Sequence, residues 1–91
     1  MIFEWDPKKA ESNEGKHGIS FPKAASVFLD PMAWTFPDPD HSIGEERFVT
    51  LGRALDGELV VVAHVELEED RIRIISARRA TKRERHDYEN G

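Results

Sequence analysis

The sequence predicts one α+β domain, built as a small antiparallel β-sheet meander with two helices before the meander and one after it. Three observations predict this class. Two capped helix starts occupy the first third of the chain, strand-like runs joined by short turns follow, and a third capped helix ends the chain. Because 91 residues can bury one modest core and no second one, we expect residues 1–91 to form a single unit in the order βααββββα.

The first third of the chain predicts a short strand and two helices. Phe3-Glu4-Trp5 alternates in polarity as a strand does. A helix is predicted over Pro7 to His17, because proline is tolerated at a first helical position and Gly18 can adopt the left-handed conformation that ends a helix. Ser20 can cap a second helix, which Asp30-Pro31 ends.

The middle of the chain predicts three strands and the turns between them. Met32 to Phe36 is a run of large apolar residues, and the two prolines and the glycine of residues 37–44 predict a loop. Glu45 to Leu55 is the next strand. Asp56-Gly57 then predicts a two-residue type I′ hairpin turn, and Leu59 to Val65, the most apolar run, predicts a central strand buried on both faces.

The last strand and helix carry most of the arginines. β-Branched residues predict a strand that starts at Arg71, and the T-x-x-E pattern from Thr81 to Glu84 has the form of a capping box. On a regular strand, alternation places Arg73 on one face and Arg78 on the other. The two arginines share a face only if a bulge or the end of the strand reorients Arg78.

Charge is distributed unevenly along this chain, whose net charge is −5. Residues 71–91 hold seven Lys or Arg and three Asp or Glu, whereas residues 1–70 hold six and fifteen. Guanidinium groups concentrated in one segment predict a local site for phosphate or carboxylate. The alternative is a solvated face whose arginines pair with nearby acids. The negative total argues against a protein that coats nucleic acid in general.

Composition also limits the compartment. The chain has no cysteine, which excludes a disulfide framework and thiolate metal sites and fits a reducing cytoplasm. The N-terminus lacks the basic and apolar regions of a secretion signal, and no apolar window is long enough to cross a bilayer. We therefore expect a cytoplasmic protein with no membrane contact.

Several motifs resemble those of the BrnT family of toxins. The N-terminal half resembles the family at Phe3-Glu4-Trp5-Asp6-Pro7 and Lys16-His17-Gly18-Ile19-Ser20-Phe21, and the middle at Asp40-His41-Ser42 with Glu45-Glu46-Arg47. The C-terminal signature is Ile72-Arg73-Ile74-Ile75-Ser76-Ala77-Arg78-Arg79-Ala80-Thr81. The similarity covers essentially the whole chain in the same order. One departure is the acidic segment at residues 66–70, where the family resemblance leads us to expect a basic or mixed hairpin.

The resemblance implies a RelE-like fold and toxicity through cleavage of RNA, with inhibition of translation and growth. It also implies neutralisation by a BrnA-like antitoxin whose ribbon-helix-helix domain binds operator DNA. The implied assembly is a heterotetramer of toxin and antitoxin that contacts DNA only through the antitoxin.

RNA cleavage without a metal requires particular side chains. The neighbouring 2′-hydroxyl is the nucleophile, so histidine suits the two proton transfers and Arg or Lys suits the charge on the phosphate. We expect catalytic roles for His17, His41, Arg73 and Arg78. We expect substrate-binding roles for Lys16, Arg47 and Tyr88.

Each of these residues has a structural alternative. His17 and His41 could be ordinary cap and loop residues, an arginine could pair with an acid such as Glu46, and Tyr88 could be a core aromatic with a solvated hydroxyl. His64, inside the valine-rich strand, is expected to be a hydrogen-bonded core histidine. We expect the fourth histidine, at position 86, on a solvated helix face.

Two further alternatives concern the class of function. Asp38, Asp40 and His41 could bind a metal ion, but the chemistry of a proline-rich loop explains them more simply, so we expect no metal and no cofactor. A catalytically inert module is the competing hypothesis. Its acidic surface would receive a basic antitoxin or DNA-binding protein, and its expression would not arrest growth.

Overall fold

Five strands and three helices follow one another in the predicted order in a computed structural model that describes residues 1–91. The strands are β1 (Ile2–Glu4), β2 (Trp34–Pro37), β3 (Arg47–Arg53), β4 (Leu59–Leu67) and β5 (Arg71–Arg79). The helices are α1 (Pro7–His17), α2 (Phe21–Ser26) and α3 (Lys82–Asn90), with short 3₁₀ turns at Val27–Leu29 and Pro39–His41. None of the helices is long and apolar enough to cross a membrane.

The strands form one mixed sheet in the order β1-β5-β4-β3-β2. Strands β2 to β5 make the predicted antiparallel meander. Strand β1 adds to it in parallel, and it pairs only with the first three residues of β5. Beyond that point α1 lies along β5, where the Asn13 side chain accepts a hydrogen bond from Ala77 N (3.0 Å) and donates one to Ala77 O (2.9 Å). Asn13 thus satisfies backbone groups that a longer β1 would have paired.

Helix α1 has the bounds that its caps predict. The Asp6 side chain accepts a hydrogen bond from Lys8 N at the start of the helix. At its end, Gly18 adopts a φ of +70° and donates its N–H to Glu14 O. Arg79 donates a hydrogen bond from Nη1 to the carbonyl of His17 (2.9 Å). These contacts hold the end of α1 against β5.

The main core lies between the sheet and the first two helices. It consists of Ile19, Phe21, Ala24, Val27, Ala54, Val60, Val62, Ile74 and Ala77. A smaller apolar cluster of Leu51, Leu59 and Val61 lies on the opposite face of the sheet, and Tyr88 of α3 packs against it. A meander with short turns is expected to have its helices on one face of the sheet, and this expectation is wrong for α3. The reason is that these apolar side chains of β3 and β4 need cover, which α3 provides.

Strand β5 contains a one-residue bulge. Ala63 of β4 is opposite Ser76, but the next residue of β4, His64, is opposite Ile74. The residue between them, Ile75, has no partner on β4. An extra residue of this kind shifts the alternation of all side chains that follow it.

The bulge decides which side chains of β5 share a face. Ile74 before it and Ala77 after it both belong to the core under α1 and α2, although they are three positions apart, a spacing that places residues of a regular strand on opposite faces. Arg73 and Arg78 are opposite Val65 and Val61 of β4 and lie together on the other face. The two arginines share a face because the bulge between them shifts the alternation of β5, a shift that their spacing in the sequence requires.

The turn between β3 and β4 differs from the predicted type I′ turn. A type I′ turn requires positive φ at both central residues, but in Asp56-Gly57 only the glycine has positive φ (+89°). Ala54 donates its N–H to Glu58 O and accepts a hydrogen bond from Gly57 N, which makes a three-residue loop. The type I′ prediction is therefore wrong at this position. Two consecutive left-handed residues occur instead at Glu69-Asp70, between β4 and β5.

Candidate functional site

A cavity of about 280 Å³ opens where β3, β4 and β5 meet the end of α1 and the loop that precedes β3. Apolar side chains of β3 and β4 line part of it. Its polar lining consists of His17, Asp38, His41, Arg47, Ser76 and Arg78. The structure thus brings together four of the residues that the sequence predicts, two histidines and two arginines from four separate segments.

The loop that carries His41 is fastened to the start of β3. Asp38 donates its N–H to Arg47 O (2.9 Å), and Ser42 Oγ donates to Asp38 O (2.7 Å) while it accepts a hydrogen bond from Arg47 N (3.0 Å). The 3₁₀ turn Pro39–His41 lies between these anchors. The loop is irregular, as its prolines predict, but its hydrogen bonds hold it to the sheet.

Within this turn, Asp38 and His41 form a pair. His41 Nδ1 lies 2.9 Å from Asp38 Oδ2. The Asp38 side chain is 23% exposed and the His41 side chain 67% exposed, so the carboxylate is the more buried partner. A carboxylate on Nδ1 orients an imidazole and leaves Nε2 available for proton transfer. From the sequence, Asp38 is expected only as a loop residue or a metal ligand, although the D-x-x-H spacing within one turn indicates this pair.

The two arginines of the cavity differ in their partners. Arg47 has no ion-pair partner, so its guanidinium is available to an anion. Arg78 donates two hydrogen bonds to Glu84, at 2.8 Å and 2.9 Å. This interaction with Arg78 lowers the pKa of Glu84 to about 2. The ion-pair alternative therefore applies to Arg78, with Glu84 rather than Glu46 as its partner.

The other predicted site residues, catalytic Arg73 among them, lie outside the cavity. Lys16 lines a smaller hollow beside it. Arg73 lies 3.5 Å from both Glu4 and Glu45, and it does not line the cavity. The structure therefore does not bring Arg73 to the two histidines.

Tyr88 is also separated from the cavity. Its hydroxyl donates a hydrogen bond to Asp30 Oδ2 (2.5 Å), and the guanidinium carbon of Arg53 lies 5.3 Å from the centre of its ring. Burial and the hydrogen bond to Asp30 raise the pKa of Tyr88. These contacts agree with the alternative of a core aromatic with a polar tip.

The remaining two histidines occupy the environments that the sequence predicts for them. His64 is fully buried, and its Nε2 lies 2.8 Å from Thr50 Oγ1. Burial lowers the pKa of His64 to about 4, so this side chain is neutral at pH 7. His86 is exposed on α3.

The loop of residues 37–44, which carries Asp38, Asp40 and His41, does not form a set of metal ligands. No group of three or more His, Asp or Glu side chains in residues 1–91 has the geometry to hold a metal ion. Asp38 and His41 bond to each other, and Asp40 is exposed. The polar groups of the cavity are suited to proton transfer and to anion binding.

The sequence and the fold both match known proteins. The sequence profile of a family described as "Ribonuclease toxin, BrnT, of type II toxin-antitoxin system" matches residues 5–84. No curated protein sequence gives a significant match. The 1.1 Å crystal structure of the Brucella abortus ribonuclease toxin BrnT is similar with a TM-score of 0.71 and 24% sequence identity, over 90% of this chain and 100% of that one.

At this level of identity the structural similarity shows a shared fold. The profile match spans most of the chain, including the segments that carry His17, His41, Arg47 and Arg78. It confirms the resemblance found in the sequence motifs. The chain therefore belongs to the BrnT family of ribonuclease toxins of type II toxin–antitoxin systems.

Proposed function

We propose that the protein is an endoribonuclease that cleaves RNA without a metal ion and thereby inhibits translation and growth. The observation that carries this proposal is the cavity that gathers His17, His41 and Arg47, with Asp38 bonded to His41. Two histidines and an arginine without an ion-pair partner are the groups that phosphodiester cleavage by a neighbouring hydroxyl requires.

His41 is the proposed general base. Its Nε2 takes the proton of the 2′-hydroxyl, whose oxygen then forms a bond to phosphorus. The bond from phosphorus to the 5′-oxygen breaks, and His17 donates a proton to the leaving oxygen. The products are a 2′,3′-cyclic phosphate and a 5′-hydroxyl. Asp38 orients His41 and stabilises the imidazolium that forms.

Arg47 is the proposed ligand for the charge that develops on the phosphate oxygens. Strand β3 holds it more rigidly than a loop would, which favours stabilisation of a transition state. Val49, Val61 and Ala63 give the cavity an apolar wall beside it, and such a wall strengthens the interaction of a cation with an anion. We assign Arg78 a supporting role, because Glu84 already neutralises part of its charge.

The proposed partner is a BrnA-like antitoxin with a ribbon-helix-helix domain, in a heterotetramer that contacts DNA only through the antitoxin. Membership of a type II family implies a protein antitoxin and an RNA substrate. The acidic surface supports a basic partner, since residues 1–70 carry fifteen Asp or Glu against six Lys or Arg. We propose that the protein acts in the cytoplasm, where such an RNA substrate is translated.

Incubation of RNA with the partner-free protein in EDTA tests this function. We expect cleavage to persist, with fragments that end in a 2′,3′-cyclic phosphate. Fragments that end in a 3′-hydroxyl, or loss of cleavage in EDTA, would contradict the proposed chemistry. Intact RNA, together with growth that continues during expression, would instead favour the inert binding module.

A further inference from the structure

A second, smaller hollow adjoins the cavity. Its volume is about 190 Å³, and it lies between α1 and β5. Helix α1 contributes Lys9, Ser12 and Lys16 to its lining. His17 and Ser76 line both the hollow and the cavity, so the two spaces are neighbours on one surface.

Three of the five residues that α1 contributes to the hollow form a stripe along one side of the helix. Lys9, Ser12 and Lys16 have the i, i+3, i+7 spacing that places side chains on one face. The two lysines are separated by about 10 Å along the helix axis, at 1.5 Å per residue. The stripe therefore extends away from the cavity over a distance larger than one phosphate group.

The charge of this stripe is not neutralised within the protein. Neither Lys9 nor Lys16 forms an ion pair, and no acidic side chain lines the hollow. Lys23 gives the contrast, since it pairs with both Asp56 and Glu58. In a chain with 18 acidic residues, two lysines without ion-pair partners beside a candidate active site indicate a place for an external anion.

The stripe is also held in a fixed position relative to the cavity. Asn13, on the same side of α1, exchanges two hydrogen bonds with the backbone of Ala77 (2.9 and 3.0 Å). The unpaired Ile75 of the β5 bulge lines the hollow. The hydrogen bonds between Asn13 and Ala77 that position α1 thus lie close in the chain to Ile75, the bulge residue that lines the hollow.

We propose that this stripe is a binding subsite for the sugar-phosphate backbone of RNA beyond the scissile phosphate. Lys9 and Lys16 bind successive phosphates. Ser12 lies between the two lysines, and its hydroxyl donates a hydrogen bond to an oxygen of the RNA backbone. The inference rests on the proposed ribonuclease function. Contacts of this kind position a strand without selecting its sequence, and they weaken as salt rises. The subsite therefore favours substrates that are long enough to reach it.

The test compares Lys9→Gln with Lys8→Gln. Both substitutions remove one positive charge from α1, but Lys8 is exposed and does not line the hollow. The measurement is kcat/KM for an eight-nucleotide RNA divided by kcat/KM for a dinucleotide. We expect Lys9→Gln to lower this ratio by about 5- to 10-fold, the loss of one phosphate contact, whereas Lys8→Gln leaves it unchanged.

Binding of an uncleavable eight-nucleotide 2′-O-methyl RNA, followed by fluorescence anisotropy, separates this inference from the ribonuclease function. We expect Lys9→Gln to reduce the slope of log K against log salt by about 0.7, the value for one phosphate on a single strand. Equal losses of binding in both variants would overturn the subsite, even if the wild type cleaves RNA. A loss confined to Lys9→Gln would support the subsite, even if the wild type does not cleave.

Discussion

The two faces of the sheet differ in what they bury. On the face that α1 and α2 cover, called here the helix-covered face, Val60, Val62 and Ile74 are at most 1% exposed. Burial on this face keeps His64 neutral. On the other face, Arg47 and Arg78 remain half-buried beside a cavity. One set of strands thus carries both environments on alternate residues.

In these strands, therefore, the side chains that stabilise the fold are different from the side chains that line the candidate site. A substitution on the helix-covered face should change the free energy of unfolding and leave the groups of the cavity in place. A substitution in the cavity should change the rate of RNA cleavage and leave the fold intact. If substitutions on either face change both the free energy of unfolding and the rate of cleavage, the two faces do not have separate roles.

The largest expected effect belongs to the cavity. Arg47→Ala should lower kcat/KM for RNA cleavage by about 10²–10³-fold, because it removes the cation that faces the developing charge on the phosphate. The free energy of unfolding should change by less than about 1 kcal/mol, since this guanidinium has no partner in the protein. Arg73→Ala is the control on the same face, because Arg73 lies outside the cavity. Equal losses in both variants would show that general positive charge, not the cavity, governs cleavage.

The largest expected effect on stability belongs to His64. Its pKa is about 4 in the folded protein against an ordinary value of 6.5, so the unfolded chain binds more protons between these pH values. Wild-type stability should therefore be fully present above pH 6.5 and fall by up to about 3 kcal/mol as the pH drops to 4.

His64→Leu should lack this part of the pH dependence. Urea unfolding of both proteins at pH 7 and at pH 4.5 measures the difference. Thr50 keeps the Thr35 hydroxyl as a hydrogen-bond partner at 2.8 Å in the variant. Parallel pH profiles for the two proteins would contradict the assignment of His64 as a neutral core residue.

A smaller effect is expected for Asp38, which acts through His41. Asp38→Asn should lower kcat by about tenfold and leave KM within about twofold, because the carboxylate supports proton transfer and does not contact the RNA. Steady-state kinetics on a short RNA gives both values. Asp40→Asn is the matched control from the same turn, since Asp40 bonds neither histidine. A rise in KM without a change in kcat would assign Asp38 to substrate binding instead.

The smallest expected effect concerns the ion pair between Glu84 and Arg78. Glu84→Gln should destabilise the protein by about 1 kcal/mol at pH 7, the value of a partly exposed pair. The pKa of Glu84 is lowered from 4.5 to about 2, so the contribution is complete above pH 4.5 and is lost as the pH falls through 2.

Urea unfolding at pH 7 and at pH 2.5 measures this change, because urea is uncharged and does not screen the ion pair. Glutamine still fits the capping box, which isolates the charge of the pair. Glu89→Gln is the control, because Glu89 is more exposed and its ion-pair distances are 3.3 and 4.0 Å. A penalty for Glu84→Gln that is the same at both pH values would contradict an electrostatic origin.

Local sequence determined much of the fold. The caps of α1, the capping box of α3 and the apolar run of β4 each predict an element that the structure contains. These features depend on contacts between residues that are close in the chain, so a single sequence contains the necessary information. The family resemblance has the same origin, because it rests on short contiguous motifs.

Tertiary structure decided how these elements face one another. The type I′ prediction at Asp56-Gly57 failed because the pairing of β3 with β4 sets the length of the loop, and the dipeptide does not. The side of the sheet that α3 covers depends on apolar residues of β3 and β4, far away in sequence.

The candidate site combines both kinds of information. Residue chemistry, applied to the RNA cleavage that the family resemblance implies, selected His17, His41, Arg47 and Arg78. It also selected Arg73, which the structure leaves outside the cavity. The unpaired residue in β5, the position of α1 along that strand and the anchoring of the His41 loop bring the four together. The first two depend on hydrogen bonds between segments that are distant in sequence, which the pattern within any one segment cannot specify. The third depends on hydrogen bonds that Asp38 and Ser42 form with the start of β3.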